Sequence, residues 1–95
     1  MHISYQDYIG YVRREQGRTA STIGGHGTFT WEVLDSKLQF TLPGGKKRNE
    51  SLSWVEAFCD RFNERQSFTT SHYPEERNSS YLLGLARDYL SAKPG

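Results

Sequence analysis

With 95 residues and a net charge of only +1, the chain has room for one hydrophobic core and is not basic enough to bind nucleic acid over most of its surface. Leu, Ile, Val and Phe supply 19 of the 95 residues, near the limit of about 20% below which a highly charged chain stays disordered; the near-neutral balance, six Tyr and two Trp argue instead for a small aromatic core. A lone cysteine, Cys59, excludes an internal disulfide, and no run approaches the roughly 18 apolar residues of a membrane span.

Residues 4–16 predict an amphipathic helix, with Tyr5, Tyr8, Ile9 and Val12 at i, i+3, i+4 and i+7, Ser4 as N-cap and Gly17 as the stop. Aromatic residues at helical spacing are core more often than they are a platform for bases, and a platform would need Tyr11 exposed beside Arg14. Residues 18–23, RTASTI, are β-branched enough for a short strand. Gly24-Gly25-His26-Gly27 reads as a turn. Its glycines do not make a phosphate cradle, because a strand follows them where such a cradle needs a helix N-terminus.

Residues 27–42 are the centre of the expected fold. Phe29, Trp31 and Val33 alternate with Thr28, Thr30 and Glu32, and Leu38, Phe40 and Leu42 alternate with Lys37, Gln39 and Thr41. A hairpin turning at Asp35-Ser36 then pairs Val33 with Leu38, Trp31 with Phe40 and Phe29 with Leu42, giving one apolar face and one polar face. Pro43-Gly44-Gly45-Lys46-Lys47-Arg48-Asn49 reads as an adaptable cationic loop after the hairpin; it lacks the spacing and the Ser or Thr of a P-loop.

A second helix is expected over residues 54–65. Ser53 and Glu56 fit a capping box, and Val55, Phe58, Cys59 and Phe62 form the stripe. Residues 67–73 have no clean period and suit an edge strand or an extended loop. Pro74 to Arg77 suits a turn, and Ser79 or Ser80 can cap a third helix over residues 79–92, ended by Lys93-Pro94-Gly95. Gly84, inside that helix, is expected to let another backbone come close. The whole is a single α+β domain: a small antiparallel sheet centred on the hairpin, one face under three helices and the other open to water.

Chemistry-bearing patterns are sparse. Cys59 lies mid-helix beside Asp60 with nothing to make it a thiolate, and one Cys with His2, His26 and His72 lacks the paired spacings of zinc ligands. No spacing supports a catalytic set, a metal or a cofactor, so a non-enzymatic binding protein is expected. The missing signal-peptide pattern at MHISYQDYIG makes it cytoplasmic, and the two Asn-x-Ser matches at Asn49 and Asn78 are then coincidental.

Residues 1–48 carry seven Lys/Arg against four Asp/Glu (net +3), and residues 49–95 five against seven (net −2). The end of a hairpin's second strand lies beside the start of its first, which gathers Lys46, Lys47 and Arg48 near His26, with Arg18 close by. Nucleic-acid phosphates are the expected partner of these five residues. The alternative is a protein-binding module or inhibitor, including a homodimer joined through an open strand edge or the aromatic helix faces.

Overall fold

A computed structural model describes residues 1–92; the Lys93-Pro94-Gly95 stop lies outside the described residues. The elements run α1 (Tyr5–Arg14), β1 (Ala20–Ser21), β2 (Thr28–Val33), β3 (Lys37–Thr41), β4 (Lys47–Ser51), α2 (Leu52–Arg65), a 3₁₀ turn (Thr70–His72) and α3 (Ser79–Ala92). The four strands form an antiparallel meander in the order β1-β2-β3-β4. The hairpin register is the one its alternation dictates, Trp31 opposite Phe40 and Val33 opposite Leu38. Leu34 N–H donates to Lys37 O (2.8 Å), closing a two-residue loop at Asp35-Ser36.

Phe29, Trp31, Leu38 and Phe40 point toward the three helices and pack with Tyr8 and Val12 of α1, Val55, Phe58 and Phe62 of α2 and Leu82, Leu85 and Tyr89 of α3 in one core. Tyr11 is 5% exposed, its ring edge-on to Tyr89 at 5.6 Å, so Tyr8 and Tyr11 are core, with Tyr5 half-buried against it, and Tyr11 offers no platform for bases. The opposite face of the sheet carries Thr30, Thr41 and Lys47 in one cross-strand row and Glu32, Gln39 and Asn49 in the next. Gln39 Nε2 donates to Asn49 Oδ1 (3.0 Å) and Lys47 Nζ to Thr41 Oγ1 (3.2 Å) across that face.

Several local expectations are corrected. The loop expected over residues 43–49 ends earlier: residues 43–46 form the turn, and Lys47–Ser51 pairs with β3 throughout. Gly44 and Gly45 are fixed at φ +90° in the connecting turn, where Gly45 N–H donates to Leu42 O (3.0 Å); they supply a required backbone conformation and not adaptability. Because β4 runs straight into α2, the last extended residue is Ser51, whose Oγ accepts from Trp54 N–H (3.3 Å); Ser51, not Ser53, is the N-cap. Residues 67–73 do not join the sheet. Ser67 Oγ accepts from Thr69 N–H (3.0 Å) and Ser67 O from Tyr73 Oη (2.7 Å), local bonds that coil the segment into the 3₁₀ turn. The strand expected over residues 18–23 shortens to Ala20–Ser21, against which Gly84 of α3 packs directly.

Candidate nucleic-acid interface

β4 splits the basic run of the sequence. Lys46 stays in the turn, Lys47 pairs with Thr41 and lies on the open face, and Arg48 pairs with Phe40 and lies on the helix side. There the Arg48 guanidinium sits 6.0 Å over the Tyr81 ring, which in turn stacks on Phe40 (5.2 Å, 23°). His26 lies in the turn before β2, exposed, and lines the same recess as Leu42-Pro43, so the two turns do share one end of the sheet. Arg18 does not join them. It pairs with Glu15 and lines a different groove, with Tyr11 and Tyr89.

The outer side of β4 forms one wall of a groove of about 510 Å³, closed by Trp54 and by Glu75 to Asn78. Two of its residues are not among those singled out from the sequence. Arg77 follows a proline turn and reaches the groove only through the tertiary fold. Trp54 is legible in principle, as the one aromatic of α2 off the Val55-Phe58-Cys59-Phe62 stripe; it is 45% exposed, with the Arg61 guanidinium 5.2 Å from its ring.

The acidic side chains of this groove are held from within. Arg65 Nη2 donates to Glu75 Oε2 (2.9 Å) and Nη1 to Oε1; Arg61 Nη1 donates to Glu76 Oε1. Asn78 Nδ2 donates to Asn49 O (3.1 Å) and Glu50 Oε1 (3.3 Å). Glu76 Oε2 is buried without a hydrogen-bond partner among the described residues. By contrast, among the described residues Lys46, Lys47, Arg48 and Arg77 have no ion-pair partner.

Consecutive carboxylates are thus pushed in opposite directions. The hydrogen bond from Arg65 lowers Glu75 to about 2. Burial raises Glu76, the charge of Glu50 adds to the rise, and Arg61 opposes it; burial likewise raises Glu50 against its hydrogen bond from Asn78 and the charge of Arg77. The signs for stability follow by linkage. Glu75 contributes above the ordinary carboxyl range and loses that contribution as pH falls through about 2. Glu76 and Glu50 contribute most when protonated, and their share is lost as pH rises through their raised values. A carboxyl ¹³C titration should therefore show Glu75 with a midpoint near about 2 and Glu76 above the ordinary glutamate value. In Arg65→Gln, Glu75 should return toward that ordinary value; an unmoved midpoint would dissolve the fork.

Cys59 is 1% exposed, and burial, followed by Asp60 and Glu56, pushes its thiol up to about 12, so it is no thiolate at neutral pH. Among the described residues, no group of three or more His, Cys, Asp or Glu is placed to hold a metal, and no helix is long and apolar enough to cross a membrane. No family model, curated protein or solved structure matches the chain.

Proposed function

We propose that the protein is a non-enzymatic, cytoplasmic nucleic-acid-binding protein in which Lys47, Arg48 and Arg77 contact phosphates beside the exposed ring of Trp54. The observation that carries this reading is the division of charge along the β4 groove. Its acids are occupied by Arg61, Arg65 and Asn78, while the cations at its rim lack ion-pair partners among the described residues. Cations that neutralise phosphates supply sequence-independent affinity, and an exposed ring adds stacking.

The protein-binding alternative has less support because α3 covers the β1 edge and the β4 edge is engaged at one point. Asn78 takes the outward carbonyl of Asn49 on β4, and α3 lies along β1, where Ile23 N–H donates to Ser80 O (3.0 Å). The aromatic helix faces that could join two copies are buried in the core.

For three phosphate contacts, log K should fall against log salt with a slope of about −2.7 on duplex DNA and about −2.1 on a single strand. That is a loss of roughly forty-fold or roughly twenty-fold between about 50 and 200 mM salt. Lys47→Glu, Arg48→Glu and Arg77→Glu together should abolish the salt-dependent binding in a mobility-shift series while the far-UV circular dichroism is kept. Unchanged oligonucleotide affinity in the folded triple variant would remove this site, and wild-type affinity indifferent to salt would remove phosphate binding altogether.

A further inference from the structure

A second recess adjoins the β4 groove. It is a cleft of about 650 Å³ at the turn end of the sheet, between the β1–β2 turn, Leu42-Pro43, the segment at Phe68–Thr70 and the start of α3. Ile23, Leu42, Phe68 and Tyr81 line it; each packs against the core yet remains partly open to solvent. Thr22, Thr28, Thr70, Ser80 and His26 also line the cleft, and their side chains can donate or accept a hydrogen bond, although the Thr22 hydroxyl already donates to Gly27 O (3.5 Å). A concave apolar surface with a few polar groups around it suits a small planar group better than an extended macromolecular face.

What selects the occupant is the wall between the two recesses. Tyr81 lines the cleft, Arg48 lines the β4 groove, and the Arg48 guanidinium lies over the Tyr81 ring. Tyr81 is fixed in place by stacking on Phe40 and by an edge contact with Phe29 at 5.1 Å. Because Phe40 stacks on Tyr81 and the Arg48 guanidinium lies over the same ring, Tyr81 walls the cleft and the partly open Phe68 is the ring that meets a base; the surface then runs ring, cation, ring from Phe68 to Arg48 to Trp54. A nucleic-acid strand offers the complementary alternation of base, phosphate, base.

Resting on the nucleic-acid reading above, we infer that the ligand is single-stranded, with one base seated in the Phe68–Tyr81 cleft, the next phosphate on Arg48 and a neighbouring base against Trp54. A duplex keeps its base faces stacked internally and cannot fill a recess of this kind, whereas unpaired bases are free to stack on protein rings. Hydroxyls that both donate and accept suit any base, so the seat should be tolerant of sequence.

The test compares three fluorescent probes by anisotropy at about 50 mM salt, where phosphate contacts are least screened: a twelve-residue oligothymidylate, an abasic strand of the same length and charge, and a twelve-base-pair duplex. Oligothymidylate should bind about ten-fold tighter than either of the others, the discrimination expected of stacked bases. Thr70→Trp, at an exposed position of the cleft wall, should fill the seat and remove part of the oligothymidylate advantage, and Thr70→Trp with Trp54→Ala should bring oligothymidylate down to the abasic level while leaving the abasic strand unchanged. Equal binding of abasic and base-bearing strands, a preference for duplex, or a folded Thr70→Trp variant that discriminates as fully as the parent would each overturn the base seat with phosphate binding intact. Failure of all three probes to bind would instead overturn the nucleic-acid reading itself.

Discussion

Truncating Trp31 to Ala is expected to cost about 3–5 kcal/mol, a large part of the stability of a domain this small. Three losses combine at that position. The indole is 2% exposed and packs against Phe29 (6.0 Å between ring centres), so its removal leaves a large hole that its neighbours cannot fill. Its Nε1–H donates to Val12 O (2.8 Å), a carbonyl in the last turn of α1, where carbonyls run out of partners within the helix. Trp31 also sits opposite Phe40 in the central strand pair, so the vacancy opens in the apolar row that fixes the hairpin register. Trp31→Phe separates the contributions: it keeps most of the packing but leaves the Val12 carbonyl unpaired, at a cost of about 1–3 kcal/mol. Urea unfolding followed by circular dichroism, with the denaturant slope checked for constancy, measures both. A Trp31→Ala loss below about 1 kcal/mol would mean that the residue is not buried where described.

The hairpin was legible because its two strands each bury one face, and a period of two survives in the residues whenever one side is apolar and the other wet. β4 obeys no such pattern. Its helix-facing positions, Arg48 and Glu50, lie at the rim of the core, where the Arg48 guanidinium lies over Tyr81 and the Glu50 carboxylate accepts from Asn78, so charged residues occupy sites that would be apolar nearer the middle. Lys-Arg-Asn-Glu-Ser therefore reads as a solvated loop although it completes the sheet. The helix boundary failed for a related reason: Ser53 and Glu56 have the spacing of a capping box, and only the strand running into α2 moves the cap to Ser51.

The candidate site was legible as charge but not as geometry. That residues 46–48 are basic is plain, whereas the division of Lys47 and Arg48 between opposite faces follows from a strand that carries no signature. Grouping Arg18 with them assumed a longer first strand; with only Ala20–Ser21 in the sheet, Arg18 turns to Glu15. Trp54, Phe68, Arg77 and Tyr81 come from segments separated in sequence, and no spacing rule relates them before the chain has folded.

Gly84→Ala and Gly10→Ala are expected to shift stability in opposite directions, although each places the better helix former inside a helix. At Gly10 of α1 an added Cβ would meet nothing within 4 Å, so the ordinary helix preference for Ala applies and the variant should gain about 0.5–1 kcal/mol. At Gly84 of α3 the same atom would stand 2.4 Å from Ser21 O, with Ser21 C at 3.4 Å and Thr22 Cα at 3.5 Å. All three are backbone atoms, so no rotamer change relieves the contact. Either α3 or β1 must move, and movement strains two bonds that tie α3 to the rest of the fold: Ile23 N–H to Ser80 O (3.0 Å) and Tyr8 Oη–H to Leu82 O (3.0 Å). Overpacking of this kind costs about 1–3 kcal/mol, and the rigidity of the backbone puts Gly84→Ala at the upper end of that range even after the gain in helix propensity. Thermal melts of the two variants beside the parent give the sign directly. If both raise the midpoint, α3 does not lie against β1, and with that contact goes the fixed position of Tyr81, three residues earlier on the same helix, on which the wall between the two recesses depends.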